Sequence, residues 1–274
     1  MDNDTKSPFT EHLGELRDRL VRSFIAVGVG FAGAYFFKEK LFDILTAPLV
    51  KAMADSGNAK MIFTGLPEAF FTYLKVSFLV GIIVATPVLF YEFWMFVSPG
   101  LYRNEKKYLI PIVILSLFFF ITGSCFGYFI VFPYGFAFFL GFATDTIQAM
   151  PSMKEYLSFA SKMLLAFGFV FELPLVLTFM ARMGLVDVDF LKKNRKYALL
   201  LFFVGAALIT PPDVITQIMM ALPLMVLYEI SIIGARIFGK KKSDEDTGEN
   251  GQETENNGSS QEDANQKEEE SKQT

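Results

Sequence analysis

The chain has 274 residues, 52% of them hydrophobic and 32 of them Phe, which is more apolar than a soluble domain of this length. Its net charge of −4 hides an asymmetry: residues 243–274 carry 11 acidic and 2 basic side chains, leaving the rest of the chain mildly basic. This pattern speaks against an ordinary soluble enzyme and for a membrane body with an acidic tail, residues 239–274, that has too little to bury to fold.

The apolar residues come in long blocks, the signature of bilayer-spanning segments. About twenty mostly polar residues precede the first block and nothing there resembles a cleavage site, so that block reads as retained. Ser7-Pro8 is a helix start, and Phe9, Leu13, Leu16 and Leu20 recur on one helical face opposite Glu11, Glu15, Arg17, Asp18, Arg19 and Arg22. Residues 1–20 therefore read as an amphipathic helix at the interface that runs into the first span, Val21–Phe37.

Residues 38–70 read as a mixed loop with a short surface helix ending before Pro48. Val76–Val97 is the second span, with Pro87 inside it and Glu92 near its end. Tyr108–Val131 is the third, bounded by Pro111 and Pro133, and residues 134–156 form a connection with an aromatic, helical start. Met163–Ala181 is the fourth span, Tyr197–Ile209 the fifth and Ile215–Ile233 the sixth, within a membrane domain of residues 21–238. The fifth rises only about 20 Å against a hydrocarbon core of about 30 Å, so it is either buried in protein or thins the bilayer. Pro211 and Pro212 force a tight turn after it, making a hairpin with the sixth.

Basic residues beside the spans fix the orientation. Sixteen fall on the side of the N-terminal helix and only five on the other, which places both termini in the cytoplasm.

Enzyme readings fail for lack of parts. His12 is the only His and reads as a surface residue, so neither a His-based triad nor a zinc site can form. No Asp lies inside a span, and no phosphate-cradling loop occurs. Catalytic residues, metal and cofactor are all expected to be absent. Cys125 cannot form an intrachain disulfide and reads as a small packing residue.

Two features remain. Phe93–Lys107 holds the only Trp, a Pro-Gly turn, Glu105 and three basic residues, between two spans. Glu15 and Glu105 can clamp a cationic peptide, because Arg pairs bidentately with carboxylates; alternatively Glu15 pairs with Arg19 at i+4 and Glu105 is neutralised locally. Glu172 lies mid-span, where a carboxylate is costly. Three readings stay open for it: a locally satisfied group beside Pro174, a proton relay, or a polar contact for a partner's transmembrane helix. Glu229 reads as snorkelling or pairing with Arg236.

Five stretches together resemble the TatC family, the polytopic receptor subunit of the twin-arginine translocase. They are His12–Leu20, Ala47-Pro48-Leu49, Tyr91–Tyr102 through Glu105, Phe167–Pro174 and Thr210-Pro211-Pro212-Asp213, in order over about residues 9–238. The resemblance implies an all-α body of six transmembrane helices, cup-shaped, with short fifth and sixth helices. It implies a receptor that binds twin-arginine signal peptides at the cytoplasmic face and exports folded proteins using the proton-motive force. Glu15, Arg17, Phe96 and Glu105 match the recognition site, and Glu172 matches a polar position facing the concave interior. Pro48, Pro99, Pro211, Pro212 and Asp213 match structural motif positions. Lys106-Lys107 stands where other members carry Arg. The implied partners are the single-span subunits TatA and TatB, signal peptides of folded cargo, membrane lipid and further copies of the chain, with no nucleic acid; the implied location is the inner (cytoplasmic) membrane, multi-pass. The rival reading is a proton-coupled secondary transporter of a small solute using Glu172. Internal repeats would favour it, and none is found between residues 21–131 and 163–238. A purely structural membrane scaffold is the third.

Overall fold

A computed structural model of the chain describes residues 8–54, 60–97, 109–144, 146, 148–209 and 214–239. They fold as α1 (Pro8–Tyr35), α2 (Lys38–Ala54), α3 (Glu68–Val97), α4 (Leu109–Phe126), a π-helical segment Gly127–Val131, and α5 (Phe132–Leu140). α6 (Met153–Val170), α7 (Leu173–Arg182), α8 (Val188–Lys193), α9 (Arg195–Ile209) and α10 (Val214–Phe238) follow. An isolated β-bridge pairs Ile62 with Ser152.

Among the described residues four stretches are long and apolar enough to cross a bilayer: Glu68–Val97, Leu109–Leu140, Met153–Arg182 and Gln217–Phe238. α1 and α2, bent by 88°, make a fifth when counted as one. α9 is the short helix expected, at 15 residues.

Several boundaries differ from the sequence reading, each for a physical reason. α2 does not stop before Pro48 but runs through it. Proline cannot supply the N–H that would bond the Ile44 carbonyl, and Tyr128 Oη donates to that carbonyl instead at 2.5 Å. Tyr156 Oη likewise donates to Leu45 O at 2.5 Å. The third span does not end at Val131: the π-helical segment carries the chain through Pro133 to Leu140, shifting the bonding register where the ring removes a donor. The helix of the fourth span starts at Met153, ten residues before the expected span. Its first turns expose Lys154 and Glu155 but bury Tyr156, Leu157 and Ala160, an amphipathic pattern that an apolar-block search passes over. α6 then breaks at Phe171-Glu172, because Pro174 leaves Val170 O without its helical donor. Cys125 is not a packing residue; it is exposed on α4.

α1 lies along α3 with backbones almost touching, since a Cβ on Gly30 would stand 2.6 Å from Gly81 O. Small residues permit such approach where apolar contact gains nothing over lipid. The core centres on α6, whose Leu157, Ala160, Met163 and Phe167 are fully buried. Phe24, Val29, Phe78, Ile114, Phe118 and Phe129 point outward, as lipid-facing residues do.

At the end away from the start of α1, two connections are clasped together. Ile62 N donates to Pro151 O at 3.2 Å and Met153 N to Ile62 O at 2.9 Å. The buried Glu68 carboxylate accepts from Thr64 N, Thr64 Oγ1 and Gly65 N on one oxygen, and from Ser152 Oγ and Lys154 N on the other.

Candidate functional site

The two candidate features lie on opposite faces of the last turns of α3. Glu15 and Arg19, one turn apart on α1, pair directly: Arg19 Nε and Nη2 both donate to Glu15 Oε1. Arg19 Nη1 reaches across to Glu92 Oε2 on α3 at 3.0 Å. The Glu92 side chain is only 7% exposed, and Arg22 Nη1 stands 3.7 Å from its other oxygen. Glu15 stays 35% exposed, and His12 Nδ1 stands 3.9 Å from its second oxygen, Oε2.

His12 is a surface residue as expected, its side chain 48% exposed, and it also has a partner across the helices. Its ring stacks on Phe96 with centroids 4.5 Å apart and planes 15° from parallel, joining the start of α1 to the end of α3. Phe96 is thus brought beside Glu15. Arg17 is not: it turns to Asp18, with Nε at 3.1 Å and Nη2 at 3.0 Å, and remains 79% exposed. Residues two apart on a helix point to nearly opposite sides, so Arg17 and Glu15 cannot share a face. Glu105, Pro99, Pro211, Pro212 and Asp213 lie outside the described residues, while half-buried Pro48 stands in α2 at the far end.

Glu172 sits at the α6–α7 break, 6% exposed, with Oε1 lacking any hydrogen-bond partner. Ser116 of α4 lies within interacting reach of its carboxyl. Glu229 pairs with Arg195 at 2.9 Å rather than with Arg236, tying α10 to α9. A cavity of about 430 Å³ at the far end, lined by Leu49, Phe136, Phe139, Met150, Tyr156 and neighbours, carries Glu155 as its charged wall. Among the described residues no cluster of His, Cys, Asp or Glu can hold a metal.

Glu92 is the residue sequence reasoning missed. It was visible as a carboxylate near the end of an apolar span, the same signal that singled out Glu172. Its partner on another helix was not.

The described residues form an all-helical body with several stretches fit to cross a bilayer, which defines a polytopic helical membrane protein. The family model for Sec-independent protein translocase protein (TatC) matches residues 11–223. The chain is 82% identical over 244 residues to TatC of Desulforapulum autotrophicum, covering 89% of this chain and 90% of that one. It is 35% identical over 247 residues to TatC of Escherichia coli, covering 90% and 95%. A crystal structure of the twin-arginine translocase receptor TatC superposes with a TM-score of 0.74 at 40% identity, over 83% of this chain and 99% of that one. The chain belongs to the TatC family. That is a family of protein translocase components, not enzymes, and its fold fits a count of six spans.

Proposed function

We propose that this chain is the receptor of a twin-arginine translocase, taking signal peptides with paired arginines at its cytoplasmic face. The observation that carries this reading is the state of Glu15. One carboxylate oxygen is anchored by Arg19, which Glu92 holds in turn; the other is open beside the Phe96–His12 stack. A guanidinium approaching from the cytoplasm finds a fixed acceptor beside an aromatic ring, Phe96. Glu105 supplies the second carboxylate and Arg17 a contact at the rim. Glu172 is the polar contact for the transmembrane helix of TatA or TatB. With these single-span subunits, and with further copies of the chain, it exports folded cargo across the inner membrane using the proton-motive force. Residues 1–20 form the cytoplasmic helical entry, 21–238 the membrane domain and 239–274 a solvating acidic tail.

Crosslinking to a signal peptide tests this directly. The Arg-Arg peptide labels the chain and the Lys-Lys version does so much more weakly, while Glu15→Ala and Glu105→Ala each lower labelling without affecting membrane insertion. Equal labelling by both peptides, or unchanged binding in both variants at low salt, overturns the receptor reading.

A further inference from the structure

One guanidinium, that of Arg19, is divided between two carboxylates. Nη1 donates to Glu92 Oε2 at 3.0 Å, while Nε, at 3.1 Å, and Nη2 both donate to a single oxygen of Glu15, Oε1. An Arg–carboxylate pair frequently closes differently, as two parallel bonds with one to each oxygen. Glu15 and Arg19, at i and i+4 on α1, have the spacing to form that closed pair by themselves. The closed pair is absent here, and Glu15 Oε2 stands outside the fork, 3.9 Å from His12 Nδ1.

What distinguishes this cluster from an isolated helical pair is Glu92 of α3. Its side chain is 7% exposed, so its attraction for Arg19 is less screened by water than that of the 35% exposed Glu15. Its height against α1 is fixed by backbone packing. Gly30 and Gly81, whose close approach joins α1 to α3, each lie eleven residues, about three turns, from Arg19 and Glu92. Arg22 Nη1, 3.7 Å from the other Glu92 oxygen, balances charge from a 65% exposed position and leaves the bond to Arg19 in place. Glu15, Glu92, Arg19 and Arg22 together are neutral, and without the Glu92 charge they would carry an excess positive charge where a cationic peptide docks.

We infer that Glu92 is a positioning residue for signal-peptide recognition: by holding Arg19 from α3 it stops that guanidinium from closing over both oxygens of Glu15, and so keeps one oxygen for an incoming arginine. Glu92 acts through Arg19 and has no contact with the peptide. The inference rests on the reading of Glu15 as the carboxylate that takes the peptide, and it names what prevents that carboxylate from being satisfied within its own helix.

The test uses the full chain in lipid nanodiscs and a twin-arginine signal peptide, on Glu92→Gln, Arg19→Lys, the double variant Arg19→Lys/Glu92→Gln, and Glu15→Gln. Two readouts are taken. They are peptide affinity relative to the parent at low and high salt, and the 13C carboxylate resonance of Glu15 before peptide is added, identified by its loss in Glu15→Gln. Glu92→Gln shifts the Glu15 resonance and weakens binding about tenfold, the worth of one charge-assisted hydrogen bond. Salt screens the part of that loss due to repulsion, and the part due to closure of the Arg19 fork persists. Lysine is a point donor without a fork, so Arg19→Lys lowers affinity in the parent but raises it in Glu92→Gln. A merely structural Glu92 gives the opposite, a double variant weaker than either single one. An unmoved Glu15 resonance in Glu92→Gln, a loss that vanishes at high salt, or a double variant weaker than Glu92→Gln overturns the inference. Unchanged affinity in Glu15→Gln overturns the reading of Glu15 as the peptide's carboxylate instead, and the Glu15 resonance in Glu92→Gln still decides whether Glu92 sets its state.

Discussion

Arg19 carries more of the cytoplasmic end than its place in a charged helix indicates. It is 15% exposed and answers two carboxylates, one half-open and one buried. Removing it leaves Glu92 desolvated with only the exposed Arg22 at 3.7 Å. Arg19→Gln therefore costs about 3 kcal/mol, the penalty of breaking a buried ion pair, and shows as a lower melting temperature in detergent. Glu15→Gln, at a partly exposed position, costs less than about 1 kcal/mol. The double variant Arg19→Gln/Glu92→Gln recovers much of the single loss, because the stranded charge is gone. The sequence displayed the Glu15–Arg19 spacing and thus half of this cluster. The other half depends on α1 meeting α3 about seventy residues later, which no local spacing encodes.

α2 passes through a proline where a neighbouring element supplies the missing donor. Tyr128 donates to the Ile44 carbonyl that Pro48 leaves without its helical donor, and Tyr156 adds a bond to the next carbonyl, Leu45 O. Tyr128→Phe should cost about 1 kcal/mol and speed amide exchange in α2. In a Pro48→Ala background the cost shrinks, since the alanine brings its own N–H to the Ile44 carbonyl; an equal cost in both backgrounds would separate Tyr128 from the proline. Sequence reasoning places a helix stop at Pro48 correctly for an isolated helix, and errs because the compensating hydroxyl comes from the π-helical segment, some eighty residues on. The break ahead of Pro174 was likewise passed over, since Met163–Ala181 reads as one continuous apolar span although α6 ends at Val170 and α7 starts at Leu173. Span number and the shortness of α9 were legible, because length and apolarity are properties of contiguous segments.

Across the whole body, the two ends are fastened by different chemistry. The cytoplasmic end uses ion pairs, which salt and competing charges weaken. The far end uses Glu68, whose carboxylate gathers donors from residues 64–65 and 152–154. Glu68→Gln replaces one accepting oxygen with an NH2 that faces donors, so amide exchange at Met153 and Lys154 should rise well above that of the parent while the cytoplasmic ion pairs stay intact. Unchanged exchange there would show that the Ile62–Ser152 pairing holds the end by itself. The outward placement of Cys125 has a practical consequence. In the bilayer its thiol faces hydrocarbon, where a membrane-impermeant maleimide does not reach, so cysteines placed in the water-facing loops can be labelled one at a time without first removing the native one.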